Sequence, residues 1–504
     1  MRLKQYVLVF AAILMGLSMT ACDKDFLDVT NPNQMTVESF WRNAEDVETA
    51  LTATYALLQH QWWGGYWAPG EMFMTLEVQS DLTQADIFYP IGNGGHNEYN
   101  PTGNMYTTYY FWRGNYKMLF AANQVIENAP NVEGLTEAQA NAFVAEARFL
   151  RAYAHFQLQQ LYGNIILVTE LPENPDQFYK TQTAPDVVYA QIEEDLQFAK
   201  AHLPADYPET WLGRATKGAA AAYLGKVYLY QEKWAQAAAE FQAVSGMGYA
   251  LVNDLETLFT GYNEFSSESI FEINFTNDHT GDRIESQSVA PNFNDWLGIW
   301  PSAYMKSIFE GDTTAQGEPT HRAFSTFVFD HPQSTSWFLG EKTFEEKYGP
   351  GHEHIYYKKY GFHNPELDDW GHESIGTNFI MMRYADVLLM QAEALNEQGQ
   401  SGQAAALVNQ VRSRAGATAI DEGMGQAALR MHIREVERPL ELCNETNRFF
   451  DLVRWYKNEG GVRAALQAHS APHWDSFTDG VNELWPIPRS EMQANPQVVQ
   501  NPGY

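Results

Sequence analysis

Apolar residues fall at intervals of three and four along much of this chain, the spacing of one face of an α-helix. Asn43, with Asp46 three residues on, has the form of a cap, and Val47, Ala50, Leu51, Thr54, Leu57 and Leu58 follow at helical spacing. A further helix is predicted from about Tyr106 to Glu127. Thr136 and Gln139 form a capping box ahead of a stripe of Phe143, Ala147, Leu150, Ala154, Leu158 and Leu161. Stripes of this kind bury themselves against other helices, so the predicted fold is mainly α.

From Thr216 to Val244 the spacing of Leu224-Gly225, Tyr228, Ala237 and Phe241 is tetratricopeptide-like. A weaker copy starts near Leu388, with Ala392, Leu395, Ala404, Val408 and Val411 at corresponding offsets and Gly399 in the turn. Two such units flanking a long insert predict a helical-repeat scaffold. Within the insert, Ser269 to Phe275 alternates as a strand would, and the residues after it are rich in Gly, Asn and aromatics. Irregular loops with short strands are expected there, and binding chemistry with them, because function concentrates on loops held by a rigid frame.

The N-terminus departs from this pattern. Arg2 and Lys4 precede an apolar run from Tyr6 to Met19 that is too short to span a bilayer and ends Met19-Thr20-Ala21-Cys22. It reads as a lipoprotein signal, residues 1–21, cleaved before a Cys22 that takes lipid on its sulfur; a plain secretory signal with a chance cysteine, or an uncleaved core helix, is the competing reading. Residues 22–33, with Asn31-Pro32-Asn33, suit a flexible tether. With Cys22 lipidated, Cys443 has no partner for a disulfide and reads as inert core.

Hydrophobic residues make up 45% of the chain and charged ones 19%, the balance of a folded globule. A net charge of −31 argues against nucleic acid and against polyanionic ligands. No nucleophile elbow, zinc-protease helix or Walker loop is present, and the many carboxylates show no spacing that sets two across a sugar ring. His352-Glu353-His354 could hold a metal with His363 or His372, but exposed loop histidines are the simpler reading, so neither metal nor cofactor is expected.

Aromatic residues change the picture most. Trp62-Trp63-Gly64-Gly65-Tyr66-Trp67 puts four rings within six residues, more than a core can absorb from one short stretch. Sugar capture needs such flat apolar faces beside hydrogen-bonding groups. A second supply lies in the insert, where Asn292, Asn294 and Asp295 stand beside Trp296 and Trp300. His96, Asn97, Tyr99 and Asn100 form another candidate loop, and Trp337 and Trp370 are weaker candidates.

Four stretches carry a family resemblance. They are Glu146 to Tyr153 leading to Leu161-Tyr162-Gly163, Arg383-Tyr384-Ala385-Asp386 through Glu393-Ala394, Glu441 to Trp455, and Leu484-Trp485-Pro486-Ile487-Pro488 through to Tyr504. Together they are similar to the SusD/RagB nutrient-uptake lipoproteins of Bacteroidetes. Asn444, Thr446 and Pro439 depart from that pattern, and Pro439 removes a backbone donor and should kink its helix. Arg434, Glu437, Arg438, Glu441, Glu445 and Arg448 repeat at three- and four-residue spacing, which predicts opposite charges meeting along a helix face.

The resemblance implies a SusD-like domain over 34–504, with its helical scaffold over about 34–260 and 380–470, a binding insert over about 261–379 and a C-terminal loop segment over 471–504. It implies a non-enzymatic lipoprotein, anchored by lipid at the outer membrane and facing the exterior, that captures glycan for a SusC-like TonB-dependent transporter. The segment holding Glu77 and Asp81 resembles one that gives polar contacts in the family, which makes Asp81 a candidate acceptor. Trp296 is the insert aromatic expected to face one from the early loop, with Trp300 next. A neutral glycan suits the charge balance. The alternatives are a peptide- or protein-uptake member of the family, a tetratricopeptide protein-interaction scaffold, and an anchored enzyme.

Overall fold

The computed structural model describes residues 40–63, 71–85, 95–275, 299–335, 342–352, 355–360 and 377–504, with side chains described except at 60–63 and 71–74. Cys22 with its preceding segment, Tyr66, Trp67, Asn292, Asp295 and Trp296 lie outside the described residues. The first half is a run of antiparallel helices. Helix α1 (Ala44–Trp63) opens where the cap predicts, with the Asp46 N–H donating to Asn43 Oδ1 at 3.1 Å. Then come α2 (Glu71–Val78), strand β1 (Thr83–Ala85), α3 (Tyr106–Asn128) and α4 (Glu137–Tyr162). The predicted capping box holds the start of α4, where Thr136 and Gln139 satisfy each other's backbone N–H. Central in the bundle, α4 packs against both α3 and the next helix, α5 (Pro185–His202).

The tetratricopeptide-like unit forms as the pair α6 (Lys217–Tyr230) and α7 (Trp234–Ser245). Its glycine has a steric reason: a Cβ on Gly225 would stand 2.6 Å from the Phe241 ring. After this pair the chain enters β2 (Ser269–Ile273) and begins its long excursion.

The described part of the excursion carries helices as well as short strands. It contains β3 (Ile299–Pro301), α8 (Ala303–Glu310), α9 (His321–Thr326), β4 (Phe327–Val328), α10 (Phe344–Tyr348) and β5 (Tyr356–Tyr357) before β6 (Phe379–Arg383) returns to pair antiparallel with β2. The three helices are a correction to the expectation of loops with short strands. Each is capped: Ser302, Thr320 and Thr343 accept from the N–H of Met305, Ala323 and Glu346. A cap of this kind is worth about 1 kcal/mol. Met305, Phe309, Phe327 and Tyr357 meet Leu82, Leu440 and Cys443 in an apolar cluster apart from the main core. Cys443 is buried there as expected, and burial pushes its thiol up to about 12.

Beyond β6 the second helix pair forms, α11 (Tyr384–Glu397) with α12 (Ser401–Ala415), and α11 packs on α7. Gln391 donates to Gln242 Oε1 at 3.1 Å across that contact. The two predicted repeats therefore stack directly, and the insert leaves and rejoins the scaffold at neighbouring strands. The remaining helices are α13 (Gln426–His432), α14 (Arg438–Leu442), α15 (Arg448–Tyr456), α16 (Val462–Ala468) and α17 (Arg489–Ala494). A π-helical turn over Ile433–Glu437 links α13 to α14. Pro439 lies two residues past this turn, in the first turn of α14, and the Glu435 carbonyl, which an ordinary residue 439 would bond in an α-helix, accepts the Tyr304 hydroxyl at 2.7 Å.

Charges on this stretch do not meet along one helix face, which corrects the sequence expectation. Each reaches a partner on another element. Arg383 donates to Glu268 (2.7 Å), Glu441 (2.6 Å) and Glu445 (2.7 Å); Arg322 to Asp312 (2.8 Å) and Glu437 (2.7 Å); Arg438 to Asp386 and Asp451, both at 2.7 Å. Arg434 reaches Glu459, and Arg454 takes Glu393. The interleaved signs matter for burial: carboxylates taken from water stay ionised only beside cations. Glu437 follows that rule, since burial opposes its charge but Arg322 holds the carboxyl down at about 2. The family-signature residues are thus the ionic core of the fold.

Candidate functional site

The described residues bring together the flanks of the segments that the sequence nominates. Strand β1 pairs antiparallel with β3, setting Ala85 opposite Ile299, Gln84 opposite Trp300 and Thr83 opposite Pro301. The residue before segment 86–94 therefore adjoins the residue after segment 276–298. Directly opposed residues of an antiparallel pair put their side chains on one face. Exposed Gln84 and half-buried Trp300 share such a face, while Thr83, Ile299 and Pro301 turn inward. An amide beside an indole is the pairing that a pyranose needs, and Trp300 is a nominated residue that lies at this junction.

A second junction lies at the other end of segment 276–298. Near the end of α1, the Gln59 amide donates to the Asn274 carbonyl at 2.6 Å, three residues before Trp62. Phe275 N–H donates to Asn378 Oδ1 at 2.8 Å, beside the end of segment 361–376, and Ile273 pairs with Phe379. Asn274 also bonds the Leu212 carbonyl at 2.9 Å. Helix α1, which ends on Trp62 and Trp63, thus contacts Asn274, two residues ahead of the segment that carries Asn292, Asp295 and Trp296. Gln59, Gln84, Asn274 and Asn378 escaped the sequence reading because β1 is three residues long and the contacts span much of the chain.

Asp81 is a correction. Its carboxylate is fully buried, with Arg448 Nε on Oδ1 and Arg448 Nη2 on Oδ2, both at 2.7 Å, and His469 Nδ1 at 2.6 Å. Burial opposes its ionisation, but Arg448 and His469 hold the carboxyl below its ordinary value. No acceptor capacity faces solvent, so Asp81 anchors the chain ahead of β1 instead of contacting ligand. Its carbonyl accepts Ser302 Oγ at 2.6 Å, which fixes the junction of β3 and α8 to the same point. Glu77 is buried too, and burial raises it to about 7 against the Thr446 N–H that it accepts. The loop at His96 also turns inward: His96 packs against Trp485 with centroids 4.4 Å apart and the rings tilted by 49°, and Asn97 and Tyr99 are buried, leaving Asn100 exposed.

Among the described residues, Asp81, Glu435 and His469 are close enough together to suggest a metal. Arg448 already bridges both carboxylates, and His469 donates to Asp81 and lies 3.1 Å from Glu435, so the cationic positions are filled. His352 pairs with the Tyr356 hydroxyl at 2.9 Å, while Glu353, His354, His363 and His372 lie outside the described residues, as do Trp337 and Trp370. The Asp81–Glu435–His469 group therefore makes no case for a metal.

His469 gives a pH prediction. Burial works against its charge, yet the Asp81 and Glu435 carboxylates raise it to about 9, and the Tyr304 ring stacks on it at 4.0 Å. A folded value above the unfolded value of about 6.5 means that this stabilisation is complete below about 6.5 and is lost as pH rises through about 9. Melting temperature should fall more steeply over that window in wild type than in His469→Gln. Equal slopes would remove the histidine from the account.

A model of the SusD family matches residues 267–504, and a model described as starch-binding and associating with the outer membrane matches residues 25–229. A curated SusD-like protein of Formosa agariphila is 29% identical over the whole length of both chains. A solved laminarin-binding SusD-like protein is 30% identical with a TM-score of 0.73, covering 92% of this chain and all of that one. A SusD-superfamily structure from Bacteroides vulgatus, 24% identical and covering the same shares, matches the fold with a TM-score of 0.81. No helix among the described residues is long and apolar enough to cross a membrane.

Proposed function

The chain belongs to the SusD family, and on that premise we propose that it is a surface glycan-binding lipoprotein that captures oligo- or polysaccharide and passes it to a partner TonB-dependent outer-membrane transporter. The observation that carries the glycan reading is the full-length likeness to a laminarin-binding relative. The convergence of the flanking residues at β1, β3 and the end of α1 supports it, because aromatics nominated from separate parts of the sequence then serve one site. Trp62, Trp63, Tyr66, Trp67, Trp296 and Trp300 supply the stacking faces, with Asn292, Asp295 and Gln84 as polar edges. Lipid on Cys22 holds the protein at the outer face of the membrane, close to the transporter, and raises the local concentration of binding surface there.

Binding without hydrolysis follows from the same reading, since stacking and amide contacts hold a sugar without activating water. Protein lacking residues 1–22 should be retarded in gels containing laminarin and leave the polymer uncut. Free mobility across a panel of neutral, uronic and sulfated polysaccharides would sink the glycan reading. Release of reducing ends would make the protein an enzyme.

A further inference from the structure

A groove lies between the start of α3 and α17. It encloses about 580 Å³ and is lined by Asn104, Tyr106, Tyr109, Tyr110, Arg489 and Gln493, among others. The three tyrosines are half-buried, and Asn104, Arg489 and Gln493 are exposed. Tyr106 and Tyr110 have ring centroids 4.4 Å apart at 55°, and Tyr109 and Tyr110 5.2 Å apart at 75°. The rings therefore present faces in several directions rather than one flat plate. Among the described residues, the hydroxyls of Tyr109 and Tyr110 have no hydrogen-bond partner.

The groove has a fixed wall. Arg489 N–H donates to the Gly103 carbonyl at 2.8 Å, which locks the start of α17 beside the start of α3. A Cβ on Gly103 would stand 2.8 Å from the Ile487 carbonyl, so only glycine allows this approach. Among the described residues no carboxylate lines the groove, in a chain whose net charge is −31. Angled rings, free phenol hydroxyls, two amides and a guanidinium match the alternating C–H faces and hydroxyl edges of a sugar chain. They do not match a flat base stack or a lipid tail.

We infer that this tyrosine groove is a second oligosaccharide-binding site, which holds a polymer strand at a point separate from the loop tryptophans. The inference rests on the glycan reading of the chain. Two sites on one polymer act together, because the second contact is made at high effective concentration. The groove should therefore matter for long polysaccharide and little for a short oligosaccharide seated at the loops.

The experiment compares wild type, Tyr109→Ala with Tyr110→Ala, Arg489→Ala, and Trp62→Ala with Trp63→Ala, each in the form lacking residues 1–22 and each checked for an unchanged melting temperature. Retardation is read in laminarin gels, and laminarihexaose affinity by calorimetry. The tyrosine variant and Arg489→Ala should bind laminarin about tenfold more weakly while the loop affinity for the hexasaccharide stays within twofold. Unchanged laminarin retardation in both would overturn the groove and leave the glycan reading standing. Loss of all binding in the tyrosine variant, with the tryptophan variant unaffected, would keep the groove and overturn the loop site. Wild type that binds no polysaccharide would end both.

Discussion

Arg383→Met should lower the unfolding free energy by about 3–5 kcal/mol, the scale on which a buried ion pair is broken from one side. Arg383 is 1% exposed at its side chain and holds Glu268, Glu441 and Glu445 together. Methionine matches much of its volume but leaves three carboxylates buried with fewer cations, Arg414 and Lys359 among those that remain. Arg383→Lys should also be costly, because a compact ammonium lacks the planar, forked guanidinium that spans Glu268, Glu441 and Glu445. Urea unfolding measures both. A loss below about 1 kcal/mol for Arg383→Met would show that the carboxylates re-pair and that the network is not a unit.

The second large effect concerns ligand and not stability. Replacing Trp62, Trp63 and Trp296 together by alanine should weaken laminarihexaose binding by about a hundredfold, or roughly 2.7 kcal/mol. Each ring stacked on a sugar contributes apolar burial at about 25 cal/mol per Å², plus about 0.5–1.5 kcal/mol of specific geometry. Stability should change by less than about 0.5 kcal/mol per site if the rings face ligand. Intact binding in a triple variant that melts several degrees lower would instead assign these tryptophans to packing.

How far the sequence could be read depended on the distance over which each feature is decided. The capping box at Thr136 and the pair of helices around Gly225 were legible because their causes are local: one side-chain bond, one glycine under one phenylalanine. The helices of the insert were missed although Met305 and Phe309 stand at helical spacing behind Ser302, because the surrounding glycines and asparagines dominated the composition. Charge spacing over Arg434 to Arg448 suggested local pairs, yet Arg448 bonds Asp81 across 367 residues. Nothing local in a sequence distinguishes an acceptor for sugar from an acceptor for a distant arginine. Asp81 was therefore assigned to ligand when folding had already committed it.

The candidate site divides in the same way. The aromatic clusters were visible in the sequence, while the convergence of their flanking residues was not, because it depends on the short ladder between β1 and β3 and on amide contacts such as Gln59 to Asn274. Trp300 links the two, being both a residue nominated from sequence and half-exposed opposite Gln84.

A crystal structure of the protein with laminarihexaose tests the central claim most directly. The account predicts sugar rings stacked on Trp300 and on at least one of Trp62, Trp63 and Trp296, with Gln84 within hydrogen-bond reach and Asp81 still paired to Arg448. A hexasaccharide bound at full occupancy elsewhere, with none of these tryptophans in contact, would contradict it.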